Sequence, residues 1–425
     1  MKILMVNKFF FIQGGSERYY FELKKLLEHH GHEVVPFAMQ HPRNFDTPYE
    51  TDFVKNIEFN DLSPLEKLKH APDIISRVIY SRQAREAVAR LIERVKPDLA
   101  HIHMIDHQLS PSILHAFREH GIPVIQTCHQ YKLVCPSYLF FIAHKNQICE
   151  RCIQGNFYNA VFQKCHKNSL AASALVAAES YIHRFAKIYD IIDIFHAPSR
   201  FLGEKLAQGG YPREKIRHCF YTINLENYPY HPDASNYFIY YGRLSEEKGL
   251  MTLLKAMGQA PETNLYLVGD GPQRPALEAF AKEKRLQHVR FWGRQEGKAL
   301  VSLVQQAQFV VMPSECYDNS PLVIYESFSM GKPVVASTLG GMPELVDNGE
   351  NGLHFKPGDA DELAEKIKLL WHDRRLCAKM GRAARDKALA EFSPEVHYKR
   401  MMLFYEEILL KKTPVETMVD FQTGG

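Results

Sequence analysis

The chain has 425 residues and a formal net charge of +3, and 45% of its residues are hydrophobic and 12% aromatic. A composition this apolar excludes a disordered protein, and so small a net charge gives no reason to expect nucleic acid as a partner. The length predicts two or more domains, each large enough for a hydrophobic core of its own.

The N-terminal sequence MKILMVNKFFF enters a strand pattern at once and shows no signal-peptide pattern. The longest uncharged apolar stretch, near residues 169–178, is too short to cross a bilayer. Together these two features predict a cytoplasmic protein.

Strand and helix patterns alternate through the first half of the chain. Residues 16–29 predict a helix that Ser16 caps and Gly31 ends, since glycine accepts the left-handed backbone common at helix ends. Just before it, Gly14 and Gly15 allow a ligand to approach the backbone closely, and the helix start favours a negatively charged group. The predicted strands are residues 3–6, 33–37, 99–103, 124–127 and 194–197.

Residues 65–94 contain two helical patterns in which Lys and Arg stand beside Leu, Ile and Val. A basic amphipathic helix of this kind can lie on an anionic membrane surface. It can equally be packed on one side and solvated on the other, so peripheral membrane contact stays open.

Four of the eight cysteines are close together in the sequence, at Cys135, Cys149, Cys152 and Cys165. In a cytoplasmic chain such a set, with a C-x-x-C pair at its centre, indicates a metal more often than disulfides. Four thiolates would close a tetrahedral structural zinc site, whereas an iron–sulfur cluster or four free thiols packed as small apolar groups are the alternatives. Two further candidate ligands lie nearby, at His144 and His166.

A polar segment, residues 221–235, is predicted as a linker to a second series of alternating strands and helices. Alternation in both halves predicts two parallel, doubly wound sheets, with ligands at the carboxyl ends of the strands. The predicted strands of the second half are residues 237–241, 264–268, 289–292, 309–312, 333–337 and 352–355.

The motif YYGRLSEEKG places Arg243 and Lys248 in the turn after the first strand of the second half. A planar guanidinium suits phosphate oxygens, and lysine adds a mobile positive charge. Two such cations can neutralise a diphosphate without a divalent metal. The same residues would also suit an ordinary solvated turn.

The segment PSECYDNSPLVIYESFSMGK, residues 313–332, predicts an acidic loop followed by a buried helix. Ser320 is predicted as the helix N-cap and Pro321 as its first residue, because proline's fixed φ and missing donor suit that position. Such a helix start favours phosphate. Asp318 lies in the loop, and Glu326 lies among apolar residues, where a carboxylate needs a polar partner such as ligand hydroxyls, the backbone or a basic neighbour.

This segment resembles the acidic signature of the retaining glycosyltransferases of family 4, nucleotide-sugar enzymes with the GT-B fold. Glu326 and the following GKPVVAS match that pattern, while Asp318 replaces the family's first Glu and shortens its reach by about 1.5 Å, one carbon–carbon bond. The resemblance implies that Glu326 holds the ribose hydroxyls of the donor and that Asp318 faces the transferred sugar.

Other motifs carry the same resemblance along the chain. Arg243 and Lys248 match positions that contact the donor phosphates, the loop VGDGP and the segment WGRQE match positions near the nucleotide base, and GGSE matches the family's GG-x-E loop.

His129 resembles the histidine of the family's H-D-Y motif, with Gln130 in place of Asp, and would lie beside the donor sugar. His103, Asp106 and His107 are candidates for lining an acceptor cleft. The implied donor-binding residues are Gly14, Gly15, Arg243, Lys248, Gly269, Gly271, Arg294, Ser320, Leu322, Val323 and Glu326. The implied catalytic residues are Asp318, His129, Arg243 and Lys248.

The resemblance also implies a domain plan. Residues 1–222 would form an acceptor-side Rossmann-like domain with a Cys-rich insertion at about residues 130–168, an extent estimated from the cysteine spacing. Residues 223–393 would form the nucleotide-sugar-binding domain. Residues 394–425 would hold a helix that crosses back to the first domain, and a tail.

The expected function is transfer of a sugar, with retention, from a nucleoside diphosphate sugar to an acceptor hydroxyl in polysaccharide or glycoconjugate biosynthesis. No catalytic metal is expected, the acceptor would be a carbohydrate or a lipid-linked sugar, and the site of action would be the cytoplasm or the inner face of the membrane. One alternative is a sugar-nucleotide epimerase of the same fold. The other is a non-catalytic sugar-nucleotide-binding protein, which the substitutions at Asp318 and Gln130 would favour. A pyridoxal-phosphate lysine motif is missing, as is a G-x-G-x-x-G after the first strand, which disfavours a phosphorylase and a dinucleotide oxidoreductase.

Overall fold

The structure is a computed structural model that describes residues 1–56, 77–107 and 109–411. The first of the two predicted basic helices falls largely on residues 57–76 and lies outside this range, as does the tail from residue 412. The second basic helix is confirmed at Arg82–Val95, where the Ser81 hydroxyl accepts a hydrogen bond from the Ala84 amide at 3.2 Å.

The first sheet has six strands in the order β2-β1-β3-β4-β7-β8. The pairs β1–β2, β1–β3, β3–β4 and β4–β7 are parallel, and β3 is buried along its whole length, as expected for strands covered by helices on both faces. Five of these strands are confirmed within one residue of their predicted ends. The sixth was missed because its sequence, Ile-Arg-His, is half-buried and forms no apolar run. The strands are β1 (Lys2–Val6), β2 (Glu33–Phe37), β3 (Leu99–Ile102), β4 (Val124–Thr127), β7 (Ile194–Ala197) and β8 (Ile216–His218).

Two short strands, β5 (Phe141–Ile142) and β6 (Gln147–Ile148), form an antiparallel hairpin within the Cys-rich insertion. The second large sheet has the order β11-β10-β9-β12-β13-β14 and is likewise parallel. All six of its strands were predicted. They are β9 (Phe238–Tyr241), β10 (Leu265–Val268), β11 (Val289–Gly293), β12 (Val310–Met312), β13 (Val334–Ser337) and β14 (Gly352–Phe355).

Helices connect the strands and cover the sheets, so that apolar residues of both layers form the cores. Among the described residues, none of the helices combines the length and the apolar character that a membrane span requires. The helices are α1 (Gly15–His29), α2 (Arg82–Val95), α3 (Ile113–Glu119), α4 (Tyr158–Phe162), α5 (Leu170–Phe185), α6 (Arg200–Gln208), α7 (Leu250–Met257), α8 (Arg274–Glu283), α9 (Gly297–Gln306), α10 (Leu322–Ser329), α11 (Met342–Leu345), α12 (Ala360–His372), α13 (Arg374–Glu391) and α14 (Pro394–Leu410).

The chain divides into two compact units, each with one large sheet. The first contains Met1–Cys128, Ile182–His196 and Tyr398–Gly425, and the second contains His129–Tyr181 and Ala197–His397. The Cys-rich insertion therefore groups with the second unit. The fold is GT-B, with two Rossmann-like parallel-sheet domains.

The last helix, α14, returns to the first unit, as predicted. Tyr405 is fully buried there, and its hydroxyl lies 2.7 Å from the Nδ1 atom of His101 on β3. The hydroxyl of Tyr398 lies 2.9 Å from the Nε2 atom of His32. These contacts attach the C-terminal helix to a sheet built from the beginning of the chain.

Residues 221–235, predicted as a linker, are hydrogen-bonded to the second unit. The Ile223 amide donates to the Phe392 carbonyl at 3.2 Å, and the Ser235 amide donates to the Gln306 carbonyl at 2.7 Å. Tyr221, Thr222 and Ile223 at its start are buried and much of the remainder is exposed, so the segment is a surface strap attached to the second unit.

Candidate functional site

The candidate site lies at the point where the strand order of the second sheet reverses. Strands β9 and β12 are neighbours there, although β10 and β11 come between them in the chain. In doubly wound sheets a crevice opens at the carboxyl ends of such strands and binds the ligand. The loops that follow β9 and β12 carry Lys248 and Asp318, so the topology brings these two predicted residues together.

The Nζ atom of Lys248 lies 2.6 Å from Oδ1 and 2.9 Å from Oδ2 of Asp318. The Ser314 hydroxyl donates a third hydrogen bond to the same carboxylate at 2.5 Å. Burial is the largest single effect and lowers the pKa of Lys248, but the combined effects of Asp318, Cys316 and Tyr240 outweigh it and the pKa is raised. The lysine is therefore a fixed positive charge at neutral pH.

Two glycines allow these loops to approach one another. Gly249 has a φ of 65°, and a Cβ added to it would lie 2.0 Å from the Pro313 carbonyl oxygen. A Cβ on Gly341 would lie 1.8 Å from the Asn319 carbonyl oxygen. Side chains at either position would push the acidic loop away, which is the close-approach use of glycine.

The helix after the acidic loop, α10, begins at Leu322, with Pro321 at the cap position. The prediction that Ser320 caps this helix was wrong: its hydroxyl lies 2.5 Å from the hydroxyl of buried Tyr325 and makes no capping bond. A proline cap offers no side-chain acceptor to the first amides. The amides of Leu322 and Val323 at the helix start are thus the ones positioned to bind an anion.

Glu326 is 3% exposed on α10, and a tyrosine supplies a polar partner for it. The Tyr228 hydroxyl donates to Oε1 of Glu326 at 3.2 Å. Tyr228 comes from the strap at residues 221–235, which the sequence analysis predicted only as a linker. The carboxylate is thus held in place inside the second unit by a residue almost a hundred positions away in the chain.

The remaining predicted donor-site residues lie in the loops after β9, β10 and β11. Arg243 is exposed, and the Tyr240 hydroxyl fixes its turn by donating to the Arg243 carbonyl at 2.8 Å. The Gly269 amide donates to the Gly293 carbonyl at 2.8 Å, which joins two of these loops, and Gly271 follows in the same turn. Arg294 is 73% exposed and paired with Glu296.

His129 is half-buried at the edge of the second unit. Its Nδ1 atom lies 2.6 Å from the hydroxyl of Tyr221, and its carbonyl accepts a hydrogen bond from the Asn319 side chain at 3.3 Å. Asn319 directly follows Asp318 in the chain, so His129 and the acidic loop are joined by a side chain that sequence reasoning missed.

The Cys-rich insertion also contacts the acidic loop. The side-chain amide of Asn146 donates to Oε2 of Glu315 at 2.9 Å, and the Thr252 hydroxyl donates to Oε1 of the same carboxylate at 2.5 Å. The Tyr317 ring packs near Tyr131 and Phe140 of the insertion, with centroids 6.5 and 6.2 Å apart. No motif indicated this contact, because the partners are far apart in the chain.

Gly14 and Gly15 lie in the first unit, at the carboxyl end of β1. The helix α1 starts at Gly15, with Gly14 at the cap position, so the prediction that Ser16 caps it was wrong. The Glu17 side chain accepts a hydrogen bond from the Gly14 amide at 3.0 Å and occupies the end of the helix instead. In the same unit His103 is buried against the rings of Tyr19 and Tyr20.

The four clustered cysteines line one small cavity in the insertion, together with Pro136, Ser137, Phe141, Ile142 and Ala160. All four are free thiols, and two of them, Cys135 and Cys152, are buried. Within the described ranges, no three His, Cys, Asp or Glu side chains already stand as a set that could hold a metal ion. The donor type and number nevertheless fit a tetrahedral thiolate site.

Two family models match the chain in succession. The model of Glycosyltransferase Family 4 matches residues 13–226, half of the chain, and the model of Glycosyl transferases group 1 matches residues 227–387. The boundary between the two models falls in the strap at residues 221–235.

Several curated proteins are similar over part of the chain. Sulfoquinovosyl transferase SQD2 of Arabidopsis thaliana is 34% identical over 152 residues, which is 35% of this chain and 29% of that protein. Glycogen synthase of Mycobacterium tuberculosis is 33% identical over 159 residues, which is 36% of this chain and 38% of that protein. The chain thus matches about a third of the length of these relatives.

Solved structures are similar over nearly the whole chain. Sucrose-phosphate synthase from Thermosynechococcus elongatus has a TM-score of 0.73 at 21% identity and covers 96% of this chain and 99% of its own. HepE of Anabaena in complex with UDP has a TM-score of 0.64 at 19% identity and covers 96% and 100%. These likenesses show the fold. With the two family models side by side over residues 13–387, this chain belongs to the glycosyltransferases of the GT-B fold.

Proposed function

We propose that this protein transfers a glycosyl group from a nucleoside diphosphate sugar to an acceptor hydroxyl with retention of anomeric configuration. The observation that carries the proposal is the meeting of Lys248, Asp318 and the start of α10 at the reversal point of the second sheet. This arrangement offers a fixed cation and free helix amides for a diphosphate, beside a carboxylate for the sugar.

Each residue would have a defined task. Arg243 and Lys248 would neutralise the charge that develops on the leaving diphosphate, and the amides of Leu322 and Val323 would bind its oxygens. Glu326, oriented by Tyr228, would accept hydrogen bonds from the two ribose hydroxyls. Gly269, Gly271 and Arg294 would lie around the base.

Retention would arise from attack on the face from which the diphosphate leaves. An oxocarbenium-like transition state suits a site without an obvious covalent nucleophile, and the departing diphosphate could take the proton of the acceptor hydroxyl. Asp318 would orient the sugar through its hydroxyls, and His129, held by Tyr221, would contact it from the opposite loop.

Uridine diphosphate sugars are the first donors to test, because the similar structure of HepE is a complex with UDP. We propose a carbohydrate or a lipid-linked sugar as the acceptor, in polysaccharide or glycoconjugate synthesis. Two of the similar proteins are named as a sulfoquinovosyl transferase and a glycogen synthase, and an acceptor of this kind is consistent with those names. We place the reaction in the cytoplasm.

Contact with the inner face of the membrane would bring a lipid-linked acceptor to the enzyme. In the insertion, Phe162 is 76% exposed and Tyr158 50%, and Leu170 at the start of the neighbouring α5 is 58% exposed. Side chains of this type enter a bilayer interface readily. Co-sedimentation with anionic phospholipid vesicles should decrease in Phe162→Ser and stay unchanged in Leu389→Ser, an exposed leucine on α13. Equal sedimentation of both variants would exclude this contact.

The transferase proposal is tested by calorimetry with UDP, GDP and ADP and their sugars, followed by detection of released diphosphate. One nucleotide class should bind, and Glu326→Gln and Arg243→Ala should each weaken binding by about tenfold or more, the factor given by 1.4 kcal/mol. Glu365→Gln and Arg375→Ala change exposed residues elsewhere and serve as matched controls.

Binding without turnover over a broad set of acceptors would favour the non-catalytic alternative. Interconversion of the free sugar nucleotide without an acceptor would favour an epimerase. A folded protein that binds none of the three nucleotide classes would contradict the donor site itself.

A further inference from the structure

The Cys-rich insertion has a feature that sugar transfer does not require. Cys135, the pair Cys149 and Cys152, and Cys165 come from three segments of the chain and line one small cavity. A backbone hydrogen bond fixes each segment: the amides of Cys135, Cys149 and Cys165 donate to carbonyls of Tyr131, Phe140 and Ala160 at 2.8, 2.8 and 3.0 Å. The hairpin of β5 and β6 lies between the first thiol and the central pair.

One buried cluster joins Cys152, Phe157 and Ala160 of the insertion to Ala177 of α5, and Phe141 of the hairpin is buried as well. A segment of about 40 residues buries little apolar surface of its own, and disulfides, a metal or a partner commonly add to its stability. Among its non-glycine residues, left-handed backbone occurs at Tyr138, Phe140, Asn146, Lys164, Lys167 and Asn168, and such conformations carry a cost that other interactions must offset.

We propose that the four cysteines bind one Zn²⁺ ion as a tetrahedral, structural thiolate site. Rotation of the thiols about their Cα–Cβ bonds would turn the sulfur atoms toward the centre of the cavity that they already share. Each thiol releases its proton when it binds, so one ion displaces four protons and no oxidant or reductant takes part. The site has no open position for substrate and is therefore structural.

The zinc site would stabilise the element that supports the acidic loop. Asn146 of the insertion binds Glu315, and Lys205 binds Glu150 at 2.7 Å while its Nζ atom lies 5.7 Å from the centre of the Tyr317 ring. Glu315 and Tyr317 flank Cys316, two residues before Asp318. Loss of the metal should therefore loosen the loop that carries Asp318, a consequence that rests on the proposed function.

The first test is metal content, measured by plasma mass spectrometry on full-length protein purified without chelator. About one zinc ion per chain is expected for a four-thiolate site. Cys149→Ser and Cys152→Ser should lose the zinc, whereas Cys377→Ser, a buried thiol on α13, should keep it. This readout does not depend on any donor or acceptor, so its failure is distinct from a failure of the transferase proposal.

The second test is thermal unfolding with and without a strong chelator. Wild-type and Cys377→Ser protein should lose several degrees in Tm after zinc removal and regain them when zinc is added back, while Cys149→Ser should not respond. Absence of bound metal with eight titratable thiols would overturn the proposal. Bound iron with a visible absorption band, or fewer than eight thiols because of disulfides, would overturn it as well.

Discussion

The ammonium group of Lys248 lies 2.6 Å from the carboxylate of Asp318, although 70 residues separate them in the chain. Both side chains are largely shielded, with exposures of 22% and 16%. In a shielded site a carboxylate competes with any other anion for the lysine. A diphosphate that binds here must therefore share Lys248 with Asp318 or displace the Asp318 carboxylate from the lysine.

Replacing Asp318 with Asn should separate binding of the nucleotide from transfer of the sugar. UDP, or whichever nucleoside diphosphate proves to bind, should bind as tightly or more tightly, because the competing negative charge is gone. Sugar transfer should decrease by at least about tenfold, since one interaction of about 1.4 kcal/mol is lost. Calorimetry and initial rates measure the two effects.

The same substitution should lower the free energy of unfolding by about 1–3 kcal/mol, because Lys248 loses its main partner. Asp318→Glu keeps the charge and has the family's residue, so it should keep most of the activity. If Asp318→Asn abolished nucleotide binding, the assignment of Lys248 to the diphosphate would be wrong.

Replacing Tyr221 with Phe should make the position of His129 less well defined. The hydroxyl of Tyr221 lies 2.6 Å from Nδ1 of His129, and its loss removes one of the contacts that orient the ring. We expect kcat to decrease by about tenfold with little change in KM for the donor, since misplacing a positioned group acts mainly on the reaction step. A change confined to KM would instead indicate that His129 contributes to donor binding.

Lys332 predicts a pH dependence of stability. Burial of its side chain lowers the pKa to about 8, against the opposing effects of Cys377 and Asp233. Between that value and the ordinary lysine pKa, the unfolded chain binds more protons than the folded one. This group therefore makes the protein more stable as pH rises from about 8 to 10.5.

Lys332→Met removes this dependence. At pH 7 the variant should be more stable than wild type by up to roughly 3 kcal/mol. The loss of the hydrogen bond that Lys332 donates to the Asp233 carbonyl reduces this gain. The gain should become smaller by pH 10. Urea unfolding of both proteins at three pH values measures the difference. A difference that does not change with pH would show that Lys332 titrates as an exposed lysine.

Replacing Tyr405 with Phe tests the attachment of α14 to the first unit. Tyr405 is fully buried, so His101 would lose a hydroxyl that water cannot easily replace, at a cost of about 1–2 kcal/mol. Tyr398→Phe on the same helix is the matched control, because that half-buried hydroxyl can be replaced by solvent and the change should cost less. Chemical unfolding followed by tyrosine fluorescence compares them, and equal costs would contradict the importance of burial.

Local pattern was enough to predict much of this protein. The alternation of short apolar runs with helical segments predicted eleven strands of the two large sheets within one residue, because parallel strands covered on both faces are continuously apolar. A last helix was predicted from residue 394 onward, and it is observed at Pro394–Leu410. The candidate donor residues were named from motifs that resemble those of the family, and their role stays a prediction.

Tertiary structure decided how those motifs combine. The pairing of Lys248 with Asp318 depends on β9 lying beside β12, and the sequences of the two loops do not determine this strand order. Tyr228 reaches Glu326, and Asn146 reaches Glu315, through contacts between segments that lie far apart in the chain. The bond between Ser320 and Tyr325 displaced a predicted cap, since a buried hydroxyl is satisfied by whichever partner packing brings to it. Sequence determines which groups can bind and how each segment folds, whereas burial and topology determine which of those groups meet.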